Sequence, residues 1–448
     1  MSSPSLTLAM IVRNGGESLA RCLKSARPAV QQILIGDTGS TDDSIAIARR
    51  FGARVIEFPW ENDFAMARNR VLEAVKTDWV LWMDADEMLD PSGVAQIPVL
   101  IDQKEIDAFE VWRWNYVRTL NSRSGGLMAE PNTFRLEESR PYPAYTRYLN
   151  TLLFRRRPGL HFEFAVHETV ANRVRALGLR AAEAPFVIHH FGFVEGAEGM
   201  RREKNERYHQ LGVKKVLENP NDAWALYELG LSELEHRRDP AAALVCLERS
   251  LLLNQGNRIA WIYAGICLTR LGRLSEALDF LQHVEETGFR SNLLAEAMGD
   301  VYFHRGSDHE AVRWYEQAGM GPLVSALVDC KRGACQVRLG EAAAGLERIQ
   351  AAVSREPQAG ELYEIWAAAA LQAGDAATAA RVASTRLGVG QPPAGSYVVS
   401  AILEAHLGDW EKALTTLSEG QRHYPEDPEL KREVQTARER LSAAQPVG

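Results

Sequence analysis

The sequence has little of what crosslinks a chain, anchors it in a bilayer or grips a polyanion. Cysteine is scarce, with five residues in 448 (Cys22, Cys246, Cys267, Cys330 and Cys335), an odd number with no CxxC pair. Most of them fall in apolar helical patterns, where a reduced cysteine acts as a small core residue. No stretch approaches the roughly 20 uninterrupted apolar residues of a membrane span. Basic residues are not in excess, since 51 Lys and Arg against 59 Asp and Glu leave a net charge of −8, which argues against a general nucleic-acid binder. The opening MSSPSLTLAMIVRNGG has no basic n-region, and its apolar run of about seven residues reads as a buried strand, not a signal peptide. These absences make the cytoplasm the expected compartment, with no integral membrane segment.

What remains is globular, with 46% hydrophobic and 25% charged residues over a length that suits two or three domains. From about residue 221 the sequence keeps a period of 34: Gly272, Gly306, Gly340, Gly374 and Gly408 are spaced without slippage, as are Ala277, Ala311, Gly345, Ala379 and Ala413. A third series of small residues, Gly230, Gly265, Gly299, Gly333, Ala367 and Ala401, has one interval of 35 and then keeps 34. The first series suits helix-ending turns, where glycine takes a left-handed conformation cheaply. The other two mark places where paired helices come too close for a larger side chain. Apolar residues at helical spacing, such as Trp261, Ala264, Ile266 and Leu268, supply buried faces. This array resembles the tetratricopeptide repeat family, with about six repeats over 221–424 and a capping helix and frayed tail over 425–448. Such solenoids offer concave surfaces to peptides or proteins; an array that only stabilises or dimerises the chain is the alternative.

Strand and helix alternate in the N-terminal half. Residues 5–12 read as a first strand, Arg13 to Gly16 as its loop, and a helix runs from about Ser18 to Ser25. QQILIGDTGSTDDSIAIARRFG follows as strand, loop and helix, ARVIEFPW as a short strand, FAMARNRVLEAV as an amphipathic helix, and DWVLWMDADEML as a strand entering an acidic turn. The alternation predicts a mainly parallel sheet with ligands at the carboxyl ends of its strands. In that turn Asp84 and Asp86 lie two residues apart, so extended geometry lets both enter one pocket. Two hard oxygen ligands with room for phosphate suit Mn²⁺ or Mg²⁺; alone, such a pair is more often a surface turn. Asp37 ends an earlier apolar strand and opens a helix, where it is placed to accept hydrogen bonds from a base or ribose. The plain reading is a capped turn, with Ser40 or Thr41 as the cap.

Taken together, strand–DTGSTDDS, FAMARNR and WVLWMDADE resemble the family-2 glycosyltransferases of the GT-A fold. MIVRNGGESLARCL is similar to their first strand and loop. RYLNTLLFRRRPGLHFEFAVHETV and FVIHHFGF with RREKNERYHQLG are similar to the acceptor-side and connecting segments of the members that carry tetratricopeptide repeats. The resemblance implies an α/β, Rossmann-like catalytic domain over 1–215, with 196–215 as connecting helix, and an all-α repeat domain over 216–448. It also implies a donor-binding set of Asn14, Asp37, Arg68 and Asp84, in which Asp37 recognises the base, Asp84 lies near ribose and metal, and Arg68 reaches the nucleotide or diphosphate. The same resemblance implies Asp86 as the principal metal ligand and His190 as a histidine that meets the metal or diphosphate. Val12-Arg13 departs from the pattern, since an aromatic residue often stands there.

Inverting transfer requires a group to take the acceptor's proton. Glu168 is the first choice, with His167 orienting it or touching the donor, and Glu163 is the runner-up. His189, next to His190 on a strand, faces the opposite side and is structural. Trp112-Arg113-Trp114-Asn115-Tyr116 and the loop to about Tyr148 read either as a sugar platform or as aromatic packing of a sheet edge. The resulting expectation is an inverting, metal-dependent glycosyltransferase. It moves a hexose or N-acetylhexosamine from a nucleoside diphosphate sugar, UDP-sugar favoured, to a hydroxyl or thiol of a peptide, protein or glycan. A donor-binding scaffold and a sugar nucleotidyltransferase are the alternatives, the latter lacking its GxGxR-type loop here.

Overall fold

The computed structural model describes residues 3–118, 122–124, 127–132, 136–192, 194, 198–318 and 325–444. Parts of the loop leading to Tyr148, Phe193 and the tail 445–448 lie outside them. The chain divides into two compact units, Met1–Cys267 and Leu268–Gly448.

In the first unit, β1 (Leu6–Val12), α1 (Gly16–Ala26), β2 (Gln32–Asp37), α2 (Ser44–Arg50), β3 (Arg54–Glu57), α3 (Phe64–Ala74) and β4 (Trp79–Trp82) follow one another as strand and helix. After them come β5 (Glu87–Leu89), α4 (Pro91–Ile101), β6 (Ala108–Val117), β7 (Arg123–Ser124), β8 (Leu127–Met128), β9 (Glu130–Pro131), β10 (Ala144–Arg155), α5 (Ala171–Ala176) and β11 (Ala181–His190). Both faces of β1 are covered, which is why LTLAMIV is almost wholly apolar. Leu8 and Met10 pack with Leu19, Leu23 and Leu81 on one side, while Ala9 packs with Val71, Val80 and Trp82 on the other. Asp63 caps α3 by accepting from the Met66 amide at 2.8 Å, and Asp90 caps α4 ahead of Pro91.

The nine-stranded sheet runs β3-β2-β1-β4-β10-β6-β11-β5, with β9 added beside β10. The sheet expected to be mainly parallel is in fact mixed. Pairings β3–β2, β2–β1, β1–β4 and β6–β11 are parallel, whereas β4–β10, β10–β6, β10–β9 and β11–β5 are antiparallel. Three of the four antiparallel pairings belong to β10, a 12-residue strand that runs back between β4 and β6 with no helical crossover. Strand–helix alternation holds only as far as β4, so it reports on that half alone.

Helices complete the first unit: α6 (Glu198–Glu218), α7 (Ala223–Ser232), α8 (Pro240–Leu253) and most of α9 (Arg258–Arg270). The second unit holds α10 (Leu274–Glu286), α11 (Asn292–Arg305), α12 (Asp308–Ala318), α13 (Ala326–Arg338), α14 (Ala342–Arg355), α15 (Gly360–Gln372), α16 (Ala376–Arg386), α17 (Ala394–His406), α18 (Trp410–His423) and α19 (Pro428–Ala444). The five turn glycines all adopt positive φ, from +73° to +92°. At Gly333 the helices of one hairpin approach so closely that an added Cβ would lie 2.6 Å from the Gly345 carbonyl oxygen. The single 35-residue interval also has a physical origin. Arg238 occupies the slot 34 residues before Gly272 and takes a left-handed φ of +57°. The extra residue between Gly230 and Arg238 is taken up by a π-helical turn, Glu233–Arg237. Leu430, Val434 and Ala437 of α19 bury the last hairpin's apolar face with Tyr397 and Leu417. Among the described residues no helix is long and apolar enough to cross a membrane.

Candidate active site

Two loops at the carboxyl ends of β1 and β2 lock together. Val12 and Asp37 are register partners, so Asn14 meets the turn that follows Asp37. Asn14 takes a left-handed φ of +56°; its amide donates to Ser40 Oγ at 2.9 Å and its Oδ1 accepts from the Thr41 amide at 2.8 Å. Asp37 is buried, and its Oδ1 accepts from the amides of Gly39 and Ser40 at 2.9 and 2.8 Å, while Oδ2 has no hydrogen-bond partner among the described residues. A buried carboxylate oxygen left open in this way is costly unless a ligand meets it. The same first loop touches the acidic turn, since a Cβ on Gly15 would lie 3.3 Å from that of Ala85. Asp37, Asn14 and the Asp84–Asp86 turn therefore share one end of the parallel strands.

The acidic turn is held by arginines. Arg68 is buried against the rings of Trp82 and Phe162, 5.0 and 5.2 Å from their centroids. Its Nη2 lies 3.1 Å from Asp84 Oδ1 and 2.5 Å from Glu168 Oε1. Arg113 lies 3.5 Å from Asp84 Oδ2 through Nη2 and 2.5 Å from Glu87 Oε1 through Nε. Burial pushes the Asp84 carboxyl up, and the charges of Arg68 and Arg113 outweigh it and hold the group below its usual value. Glu87 is wholly buried, and that desolvation, opposed by Arg113, carries its carboxyl up to about 7. Its Oε2 accepts from the Asp84 amide at 2.8 Å, which fixes the turn from behind.

Three strands bring the last components to one face. Glu87, His190 and Asn115 are register partners across β5, β11 and β6. His190 Nδ1 lies 2.6 Å from Asn115 Oδ1, and His190 Nε2 lies 3.3 Å from Asp86 Oδ1. With Nδ1–H donating to Asn115, Nε2 turns its lone pair on a carboxylate, an arrangement that needs a proton or a metal ion between them. Gly192 leaves the room, since a Cβ there would come within 2.7 Å of His190 Nε2 and still closer to Asp86 Oδ2.

Glu168 lies in a tightly closed loop. Glu163 and Thr169 exchange backbone hydrogen bonds of 3.0 and 3.2 Å, and Asn69 grips Phe162 through both its amide and its carbonyl, at 2.7 and 2.9 Å. Phe164 and His167 within the loop adopt left-handed φ values of +75° and +52°. His167 is exposed, its ring 6.2 Å from that of Tyr208. Glu163 points elsewhere, pairing with His161 at 3.8 Å and Arg173 at 3.9 Å. It lines an open cavity of about 600 Å³ with Asp63, Asn69 and Glu73.

His189 lies on the opposite face of β11 from His190. It is fully buried, with Nδ1 2.9 Å from the Tyr116 hydroxyl and Nε2 3.2 Å from Asp90 Oδ2. The aromatic residues of β6 serve packing: Trp114 stacks on Tyr145 at 4.2 Å, Tyr116 on Phe191 at 5.0 Å, and Trp112 Nε1 donates to Glu183. The site residues missed in the sequence lie between those rings. Arg113 and Asn115 alternate with Trp112, Trp114 and Tyr116, and a strand period of two puts them together on the other face.

An acidic turn, a buried aspartate with one open oxygen and a caged carboxylate thus gather at one end of a half-parallel sheet. Residues 7–158 match the model of Glycosyl transferase family 2, so the chain carries a family 2 glycosyl transferase domain followed by tetratricopeptide-type hairpins. A TPR repeat-containing protein of Synechococcus elongatus is 32% identical over 50% of this chain and 51% of its own length. The SPbeta prophage-derived glycosyltransferase SunS of Bacillus subtilis is 31% identical over 21% of this chain and 23% of its own. The chain thus spans about half, or less, of these relatives. Among solved structures, a tetratricopeptide repeat protein from Parabacteroides merdae aligns with a TM-score of 0.43 at 14% identity, covering 53% of this chain and 94% of that one.

Proposed function

We propose that the protein is an inverting glycosyltransferase of GT-A type that moves a hexose or N-acetylhexosamine from a nucleoside diphosphate sugar, UDP favoured, to a hydroxyl or thiol. Asp37 takes the base through its open Oδ2, and Asn14 holds the loop that frames it. Asp86 and His190 would hold Mn²⁺ or Mg²⁺, since a carboxylate oxygen and an imidazole nitrogen 3.3 Å apart can serve one ion. Among the described residues no three His, Cys, Asp or Glu side chains form a ready cage. The chemistry such an ion would supply is positive charge against a departing diphosphate.

Glu168 takes the acceptor's proton, with His167 beside it at the exposed edge of the loop. Arg68 holds Glu168 and Asp84 in one frame, and a diphosphate drawing on that guanidinium releases Glu168 to act as base. The repeats suit a peptide or protein acceptor, with glycans as the other class. None of the five cysteines is in a disulfide and four of them are buried, which suits the cytoplasm.

The observation that carries this reading is the gathering of Asp37, with its open oxygen, and the Asp86–His190 pair around a single first loop. Isothermal titration with UDP and with UDP-sugars, with and without Mn²⁺, tests it. Metal-dependent binding is expected, lost in Asp86→Ala and weakened at least tenfold in Asp37→Ala, where about 1.4 kcal/mol of base contact disappears. Binding that ignores both substitutions defeats the reading. Pyrophosphate release from a sugar phosphate and UTP would instead indicate a nucleotidyltransferase.

A further inference from the structure

The loop carrying Glu168 is held on one side by α3, through Arg68, Asn69 and the Phe64 amide, which donates to the Ala165 carbonyl at 3.0 Å. Its other side rests on α6, the helix that leads into the repeats. Tyr208 and Lys215 lie seven residues apart, two helical turns, so they share a face of α6. The Tyr208 ring is 6.2 Å from that of His167 and 5.5 Å from that of Phe64. Lys215 is 97% buried, an unusual place for an ammonium group; its Nζ stands 4.4 Å from the centroid of the Phe164 ring and 2.8 Å from Glu228 Oε2 on α7.

We propose that Lys215 is a positioning residue for the transfer step, holding the Glu168 loop through the Phe164 ring and so making α6 and the first repeat helix part of the catalytic apparatus. Phe164 is held at φ +75°, four residues before Glu168, in a loop closed at both ends by the Glu163–Thr169 pair. A non-glycine residue in that conformation persists only where its surroundings hold it, and the cation against the ring is the contact that α6 supplies. The helix is in turn tied to the first repeat. Besides Lys215–Glu228, His209 Nε2 lies 3.4 Å from Glu233 Oε1 in the π turn, and Arg237 donates to Glu206 at 3.0 Å. The insertion that breaks the repeat period thus lies against α6. Tyr208 reports the same proximity: burial first, and then the charges of Glu168, Asp84 and Asp86, push its phenol well up.

The inference rests on Glu168 acting as the base, and its test separates the two. Full-length wild type, Lys215→Arg, Lys215→Met and Lys215→Met/Glu228→Gln are compared by thermal unfolding, by UDP release from UDP-glucose, UDP-galactose and UDP-N-acetylglucosamine with Mn²⁺, and by hydrogen exchange of residues 161–170. Lys215→Met is expected to lower kcat about tenfold or more with the donor KM within about twofold, because the donor contacts are intact while the base is displaced. Lys215→Arg keeps the cation and restores turnover. The double variant removes the stranded Glu228 charge, so it regains thermal stability while turnover stays low and exchange in 161–170 stays fast. Recovery of turnover together with stability, or unchanged exchange in 161–170 for Lys215→Met, overturns the proposal. Exchange needs no donor, so a wild type that releases no UDP refutes the transferase reading and leaves the loop result standing.

Discussion

Asp84 and Glu168 meet on a single nitrogen of Arg68, at 3.1 and 2.5 Å. One residue follows β4 and the other lies in a loop 84 positions later, so the guanidinium joins the proposed donor side to the proposed base. Both ion pairs are largely removed from water, with side-chain exposures of 8% for Arg68, 29% for Asp84 and 10% for Glu168. Low exposure strengthens the attraction and raises the cost of removing one member.

Replacing Arg68 by alanine is therefore expected to destabilise the protein by about 3–5 kcal/mol, because two buried carboxylates are left facing each other. Arg68→Lys should retain much of that stability, since the charge survives. It cannot reproduce a flat group stacked between Trp82 and Phe162 that reaches two acids, so turnover should still fall by about 100-fold. Urea unfolding and UDP release from UDP-glucose separate the two effects. A lysine variant with full turnover would show that charge alone matters at this position.

Gly192→Ala tests the proposed metal site at Asp86 and His190 while keeping both side chains. The new methyl would collide with Asp86 and His190 Nε2, and side-chain tips yield more readily than backbone. The expected result is near-normal folding with Mn²⁺ affinity reduced at least tenfold, read by the electron-spin signal of free Mn²⁺. Unchanged Mn²⁺ binding would place the ion away from this pair.

How much of this is legible in the sequence depends on whether a signal is local. The elements as far as β4 and the helical hairpins follow from periodicity and turn residues that act within a few positions, as at Gly340 or in the buried LTLAMIV strand. The antiparallel return of β10 between β4 and β6 is not local, and a run such as AYTRYLNTLLFR carries no mark of its partners. Asp37, Asp84 and Asp86 stand out because they end apolar strands. Arg113, Glu87 and Asn115 do not, because register across β5, β11 and β6 brings them to the site. The π turn was visible as a one-residue slip in the small-residue series, but a slip does not say which helix absorbs it.

Asp90 makes stability depend on pH in a predictable direction. Burial raises its carboxyl, and hydrogen bonds from His189 and from Ser92 outweigh that and leave it below its ordinary value near 4. A depressed folded-state value means stability that is complete above the ordinary carboxylate range and is lost as pH falls through the lowered one. Asp90→Asn preserves the cap of α4, since asparagine caps as well as aspartate, and removes the charge facing His189. The variant should be less stable than wild type at pH 7, with the difference shrinking toward pH 3 in urea titrations. A constant difference would assign the loss to packing rather than to charge.

The repeat glycines serve two purposes, and substitution can tell them apart. Gly340 has φ +92° and open space where a Cβ would go, so its cost is conformational. Alanine there should destabilise by about 1–2 kcal/mol, and asparagine by less, because its short polar side chain tolerates the left-handed region. Gly333 lies within a helix where a Cβ would meet the Gly345 carbonyl oxygen at 2.6 Å and Ile349 at 2.7 Å. Backbone cannot retreat there without parting α13 from α14, so alanine should cost about 1–3 kcal/mol. Asparagine, being larger, should cost more. The order of alanine and asparagine is thus expected to reverse between the two sites in urea unfolding. The same order at both would mean that one of these glycines has been given the wrong physical role.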